Sequence, residues 1–350
     1  VTDGDRRLEA PHRRGGASPR IVERSAVIGY RFASWLLRTL PARPTGAVLG
    51  LGAQASYLLW PTKRAWSNRN FGHVLGLPPD DPRVRRVALR AYRRYGTYLV
   101  ELMRVPYMPQ DEVMGLIEPI DPAEIARIRA ASPIGGIIVT TGHVGNNDVI
   151  GAAIAHLGLP LNVVADDSAF PELFEYLRAQ REQWSATLIP WRNLRAIFGV
   201  LRRREVLGLL VDWGYRSDGI PVRLFDAWTA LPAGPATLAA KTHSMILPSI
   251  NTRQPDGRMR VRFGELIAVP SSDPAELQRA TQRIADALAE MIRPAPEDWY
   301  SFKPIWPATD AEIADLERRG LEMIAGRRDP GPSRDFGAAI PPHSTVVADA

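Results

Sequence analysis

Ile137-Ile138-Val139-Thr140-Thr141-Gly142-His143-Val144-Gly145-Asn146-Asn147-Asp148 passes from one structural period to another within a few residues. Its apolar start predicts a buried strand over Ile137 to Thr140, because strands covered on both faces are apolar without alternation. Gly142 and Gly145 permit a tight turn. Asn146 or Asn147 is suited to open the helix that follows. His143 therefore falls at the carboxyl end of a strand, where open α/β sheets place their ligands.

Downstream, the same alternation repeats. Leu161 to Ala165, Thr187 to Ile189, Val206 to Val211 and Met245 to Ile250 read as strands. Between them, Asp148 to Leu157, Pro171 to Trp184, Leu194 to Arg203 and Gly234 to Thr242 read as helices. The expected class is α/β, with a mostly parallel central sheet covered by helices. Arg258 to Phe263 alternates basic and apolar residues and is expected as an edge strand, followed by an amphipathic helix over Asp273 to Ile292.

Upstream, residues 21–131 read almost wholly as helix: Ile21 to Leu40, Gly46 to Trp60, Thr62 to Leu75, Pro82 to Arg104 and Pro122 to Ala131, broken by Pro or Gly. The expected organisation is a basic tail over 1–20, a helical lead-in over 21–131 packed on a catalytic domain over 132–326, and a Pro/Gly/Ala-rich tail over 327–350. No internal repeat is visible.

The 350-residue chain carries 44 Lys+Arg against 38 Asp+Glu, a formal charge of +6 whose excess lies toward the N-terminus. That asymmetry points to an anionic partner, a membrane surface or a nucleic acid. Without a recognised nucleic-acid motif, and with acids restoring the balance downstream, the membrane is the better fit. Gly46 to Trp60 is uncharged but short of the roughly 18 residues that span a bilayer. Its flanking Arg38, Arg43, Lys63 and Arg64 and the aromatics Trp35, Tyr57, Trp60 and Trp66 suit a helix in the membrane interface, and a buried core helix fits the pattern equally. Nothing at the N-terminus resembles a secretory signal. The absence of cysteine excludes disulfides, thiolate metal sites and Cys nucleophiles. His12, His73, His156, His243 and His343 show no paired ligand spacing, so no metal is expected.

His143 and Asp148 can meet if the histidine lies in the turn and the aspartate on the first helical turn, since on a continuous helix they would diverge by about 140°. The carboxylate would then fix the imidazole tautomer and leave its other nitrogen free to accept a proton. Backbone N–H groups of Gly145, Asn146 and Asn147 are candidates for a developing oxyanion. Asp212 closes the apolar run Val206 to Val211 and should face the same crevice, as a site-shaping carboxylate or as a cap. Gly234 opens a helix in Leu231-Pro232-Ala233-Gly234-Pro235-Ala236, with exposed N–H groups. Arg192 and Arg195 follow another strand and are candidates for ligand phosphates.

The chain resembles the bacterial lipid A biosynthesis (lauroyl/myristoyl) acyltransferase family, in particular its phosphatidylinositol mannoside branch. The resemblance rests on Arg69-Asn70-Phe71-Gly72-His73-Val74-Leu75-Gly76, Thr141 to Asp148, Val206 to Asp212, Leu231 to Ala236 and Pro296-Glu297-Asp298-Trp299-Tyr300, in that order over about 21–307. It implies a glycerolipid-acyltransferase-like fold and transfer of a long acyl chain from acyl-CoA to a hydroxyl of a membrane glycolipid. The family's catalytic histidine and acid map onto His143 and Asp148, and a later acid maps onto Asp212. No cofactor beyond the acyl-CoA substrate is implied, and the expected place is peripheral, on the cytoplasmic face of the inner membrane. Ala165-Asp166-Asp167-Ser168 lacks the arginine many relatives carry, and Asp212-Trp213-Gly214 lacks their second acid, so neither role is carried over. Two other readings are a glycerol-phosphate or lysophosphatidate acyltransferase, which shares the His-x4-Asp spacing, and a catalytically silent lipid-binding protein of this fold.

Overall fold

The computed structural model of the chain describes residues 19–130, 135–156, 160–166, 171–183 and 186–333. The expected tails fall mainly on 1–18 and 334–350, outside the described residues, as do Asp167 and Ser168.

Four helices lead: α1 (Pro19–Thr39), α2 (Ala42–Leu59), α3 (Pro61–Leu75) and α4 (Pro82–Arg104). Pro61 and Pro82 sit in the first turn, where a missing N–H costs nothing. Asp81 caps α4 by accepting from the Arg83 N–H, and Gly76 at φ 63° ends α3 in the left-handed region. Two short helices follow, α5 (Gln110–Gly115) and α6 (Pro122–Ala130).

α2 answers both readings of its sequence. Gly46 and Gly50 bring its backbone against α4, where Gly96 removes the opposing side chain; a Cβ on Gly96 would lie 2.1 Å from the Gly50 nitrogen. The other face leaves Val48, Leu51, Leu58 and Leu59 exposed. Because the backbone cannot retreat from such contact without separating the helices, Gly96→Ala is expected to cost about 3 kcal/mol or more. Urea denaturation checks this, and an unchanged midpoint would show that α2 does not depend on that contact.

The remaining elements are β1 (Ile137–Thr141), α7 (Asn147–His156), β2 (Leu161–Ala165), α8 (Pro171–Glu182), β3 (Ala186–Pro190), α9 (Leu194–Arg202), β4 (Val206–Leu210), β5 (Ile220–Leu224), β6 (Ala227–Leu231), α10 (Gly234–Thr242), β7 (Met245–Arg253), β8 (Met259–Phe263), α11 (Pro274–Ile292) and α12 (Asp310–Ile324). Six strands form one sheet in the order β3-β2-β4-β1-β7-β8. All pairs are parallel except β7 with β8, so the expected basic strand is the antiparallel edge. β5 and β6 form a separate hairpin that the sequence reading did not foresee.

The architecture is α/β, a mostly parallel central sheet flanked by helices. Tyr57, Phe71 and Val84 of the lead-in belong to the same buried cluster as Ile138, Leu207 and Ile246 of the sheet and Ile284 and Leu288 of α11. Residues 327–333, expected within a tail, are tied back: the buried Arg319 of α12 donates Nε and Nη2 to the Asp329 carboxylate at 2.8 and 2.7 Å.

Candidate active site

Strand register builds the centre. Thr141 of β1 lies opposite Leu210 of β4, so His143 and Asp212 each stand two residues beyond that pair, at one height above the sheet. The contact follows directly. His143 Nδ1 and Asp212 Oδ1 are 2.6 Å apart, and the His143 backbone N–H donates to Oδ2 at 2.8 Å. An ionised carboxylate only accepts, so Nδ1 carries the proton and the other ring nitrogen is left as the acceptor. The imidazole is about one quarter exposed, while Asp212 is buried.

Asp148 occupies the position the spacing requires, on the first turn of α7, yet it turns elsewhere. Its Oδ1 accepts from Arg181 of α8, Nε at 2.9 Å and Nη2 at 2.5 Å. Helical phase explains the correction. Asn147, the first helical residue, points back to the Gly142 carbonyl at 2.9 Å, and Asp148 is rotated about 100° from it, toward α8. The carboxylate that orients the ring is therefore Asp212.

Around this pair the turn is locked. Gly145 has φ 66° and a Cβ there would lie 2.2 Å from the Asn251 carbonyl oxygen, a conformation and a clearance only glycine provides. The Asn146 side chain caps α7 by accepting from the Val149 N–H at 3.2 Å. The Gly145 N–H donates to the Asp298 carbonyl and the Asn146 N–H to Asn251 Oδ1. Those two N–H groups, expected to face an oxyanion, are thus committed to the fold, and the fully buried Asn146 is no substrate contact.

Residues 298–305 form the other wall. The Tyr300 N–H donates to the His143 carbonyl at 2.7 Å, and Trp299, buried, donates its indole N–H to Asp212 Oδ2 at 2.7 Å. The first motif of the lead-in acts on this segment: Asn70 Nδ2 donates to the Ser301 and Lys303 carbonyls, Arg69 to the Pro307 carbonyl, and Phe71 meets the Trp299 ring edge-on. His73 stacks on Trp306, and burial lowers its pKa to about 4, so it is a neutral packing group. Asp298 accepts from Arg94 at 2.6 Å and from the Arg253 N–H at 2.9 Å.

Burial works to raise the Asp212 carboxyl, but the adjoining His143 charge and the hydrogen bonds from His143 and Trp299 hold it below its usual value. Trp299→Phe removes one of those bonds and part of a core ring. It is expected to cost about 2–4 kcal/mol of stability. It should also lower acyl transfer about tenfold through a looser Asp212; urea denaturation with an activity assay checks both.

Other expected residues lie farther out. Arg192 and Arg195 are exposed beyond β3, three strand spacings from β1, about 14 Å; Arg192 stacks on Trp191 at 5.0 Å. Gly234 is exposed at the first turn of α10, which leads into β7 and so has its N-terminus toward the carboxyl end of the sheet. Trp299 stood in a quoted motif without a role. Asn251, the other group missed, is signalled only by a polar residue inside a buried strand.

A buried carboxylate holding an imidazole at the strand ends of an α/β sheet, with one ring nitrogen open, is an arrangement chemically able to take up a proton. The chain belongs to the bacterial lipid A biosynthesis acyltransferase family, whose profile matches residues 19–307, and it is an acyltransferase of that family. It is similar to the phosphatidylinositol mannoside acyltransferase of Mycolicibacterium smegmatis (strain ATCC 700084 / mc(2)155), at 29% identity over 303 residues, 83% of this chain and 93% of that relative. It is also similar to the phosphatidylinositol mannoside acyltransferase of Mycobacterium tuberculosis (strain ATCC 25618 / H37Rv), at 26% identity over 274 residues, 74% of this chain and 80% of the relative.

Proposed function

We propose that the protein transfers a long fatty acyl chain from acyl-CoA to a hydroxyl of a membrane glycolipid of the phosphatidylinositol mannoside type. The observation that carries this is the 2.6 Å His143–Asp212 contact, at a partly exposed imidazole, in a chain of this family. His143 takes the proton of the acceptor hydroxyl, whose oxygen attacks the thioester carbonyl. The tetrahedral adduct collapses, breaking the carbon–sulfur bond, and the proton returns to the departing thiolate. An ester and free coenzyme A result, with no acyl group on the enzyme, in keeping with a chain that has no cysteine. Asp212 fixes the tautomer and stabilises the transient imidazolium. Asp148 supports the site from α7 through its pair with Arg181. Arg192 and Arg195 remain available to the phosphates of a long donor.

The acceptor reaches the site at a membrane surface. Among the described residues no helix is long and apolar enough to cross a membrane. α1 exposes Ile28, Phe32, Trp35 and Leu36, and α2 exposes Val48, Leu51, Leu58 and Leu59. Such faces lie in the interfacial layer, and neighbouring arginines favour anionic lipid. We place the enzyme peripherally on the cytoplasmic face of the inner membrane.

Lipid profiling by mass spectrometry of cells with and without the gene, joined to transfer assays of the purified protein with labelled acyl-CoA, tests the reading. Loss of one acyl chain from a phosphatidylinositol mannoside supports it. An unchanged glycolipid profile, with acylation of a glycerol phosphate instead, overturns it.

A further inference from the structure

Lys303 differs from most cations of the centre. Arg94, Arg181, Arg216 and Arg253 are each bound to a carboxylate, of Asp298, Asp148, Asp218 and Glu101. Among the described residues no carboxylate is recorded within ion-pair distance of Lys303. Its Nζ instead rests 4.1 Å from the centroid of the Trp213 ring. That ring is 55% exposed and lies 5.2 Å from the His143 imidazole. Partial burial lowers the Lys303 pKa, the mark of an ammonium that has lost water without gaining an acid.

The arrangement is fixed by backbone. The Lys303 carbonyl accepts from Asn70 at 2.6 Å, and the neighbouring Pro304 carbonyl accepts from the Tyr215 N–H at 2.8 Å, tying the two segments that carry Lys303 and Trp213. An aromatic face holds an ammonium without neutralising it. The charge therefore stays available to an anion arriving beside the general base.

We propose that Lys303 and Trp213 form a phosphate subsite of the reaction centre, seating a phosphoryl group of one substrate next to His143. This rests on the acyl-transfer reading, in which both partners carry phosphate: the coenzyme A donor and the phosphodiester of the acceptor. A lysine binds phosphate as a point charge, without the bidentate geometry of arginine, so it tolerates either source.

The test is a titration of the purified full chain by tryptophan fluorescence, for wild type, Lys303→Gln and Lys303→Arg. The probes are coenzyme A and inositol 1-phosphate, with pantetheine and inositol as their phosphate-free counterparts. One lost charge-assisted contact at a half-buried site predicts about tenfold weaker binding of one phosphate probe by Lys303→Gln. Both phosphate-free counterparts should bind as they do to wild type, and Lys303→Arg should recover most of the loss. Weakening confined to coenzyme A assigns the subsite to the donor; weakening confined to inositol 1-phosphate assigns it to the acceptor. Equal affinity of wild type and Lys303→Gln for both phosphate probes overturns the proposal, as does an equal loss for the phosphate-free pair. Binding needs no turnover, so wild type that binds these probes yet transfers no acyl group would contradict the acyl-transfer reading alone.

Discussion

His143→Ala is expected to reduce acyl transfer by about 10⁴-fold, the loss that follows when a positioned general base is removed. The side chain is partly exposed and donates nothing to the core beyond its bond to Asp212. The backbone contacts that fix the turn, the His143 N–H to Asp212 and the Tyr300 N–H to the His143 carbonyl, survive in alanine. The protein should therefore still fold, with the urea midpoint lowered by the about 1.5–3 kcal/mol of the lost bond to the Asp212 carboxylate. Transfer at wild-type rate by a folded His143→Ala would remove the imidazole from the mechanism.

Asp212→Asn is expected to lower turnover about 10³-fold, for a reason written in the hydrogen bonds. Two N–H donors, the His143 backbone and the Trp299 indole, converge on Oδ2. An asparagine must place its oxygen there, which turns its amide N–H₂ toward His143 Nδ1. Nδ1 is then forced to accept, the proton moves to the other nitrogen, and the base is gone. The same substitution changes stability with pH. Asp212 has a folded pKa below its unfolded value, so its contribution is fully present above about pH 4 and is lost as pH falls through the lower folded value. Wild type should lose more stability than Asp212→Asn over that acid range, read as urea midpoints; parallel curves would show that Asp212 is not held low by its partners.

Elements governed by local pattern were legible in the sequence. α4, β2 and α10 run as their apolar periods predict, and His143 stands at the strand end as expected. Long-range partners were not. His-x4-Asp is visible in the chain, whereas the contact to Asp212 crosses 69 positions and depends on β4, not β2, lying beside β1. Strand order is not a property of any window of sequence. The β5–β6 hairpin was missed for a local reason. Its two-residue turn is Phe225-Asp226, with φ of 49° and 66°, positions where Asn and Gly give the usual signal. α12 carries its own local mark, the capping box Thr309-Asp310-Ala311-Glu312. Trp299 and Lys303 gain their roles only when residues 298–305 fold against the turn, a placement enforced from the lead-in by Asn70 and Arg94.

If His143 works with Asp212 and Asp148 is only a support, the two carboxylates must answer differently to conversion into amides. The decisive measurement is transfer of a labelled acyl group from acyl-CoA to a phosphatidylinositol mannoside acceptor, by Asp212→Asn and Asp148→Asn assayed side by side. About a 10³-fold loss is expected for Asp212→Asn and a loss within about tenfold for a folded Asp148→Asn. A folded Asp148→Asn without activity, beside an active Asp212→Asn, would contradict the pairing of His143 with Asp212.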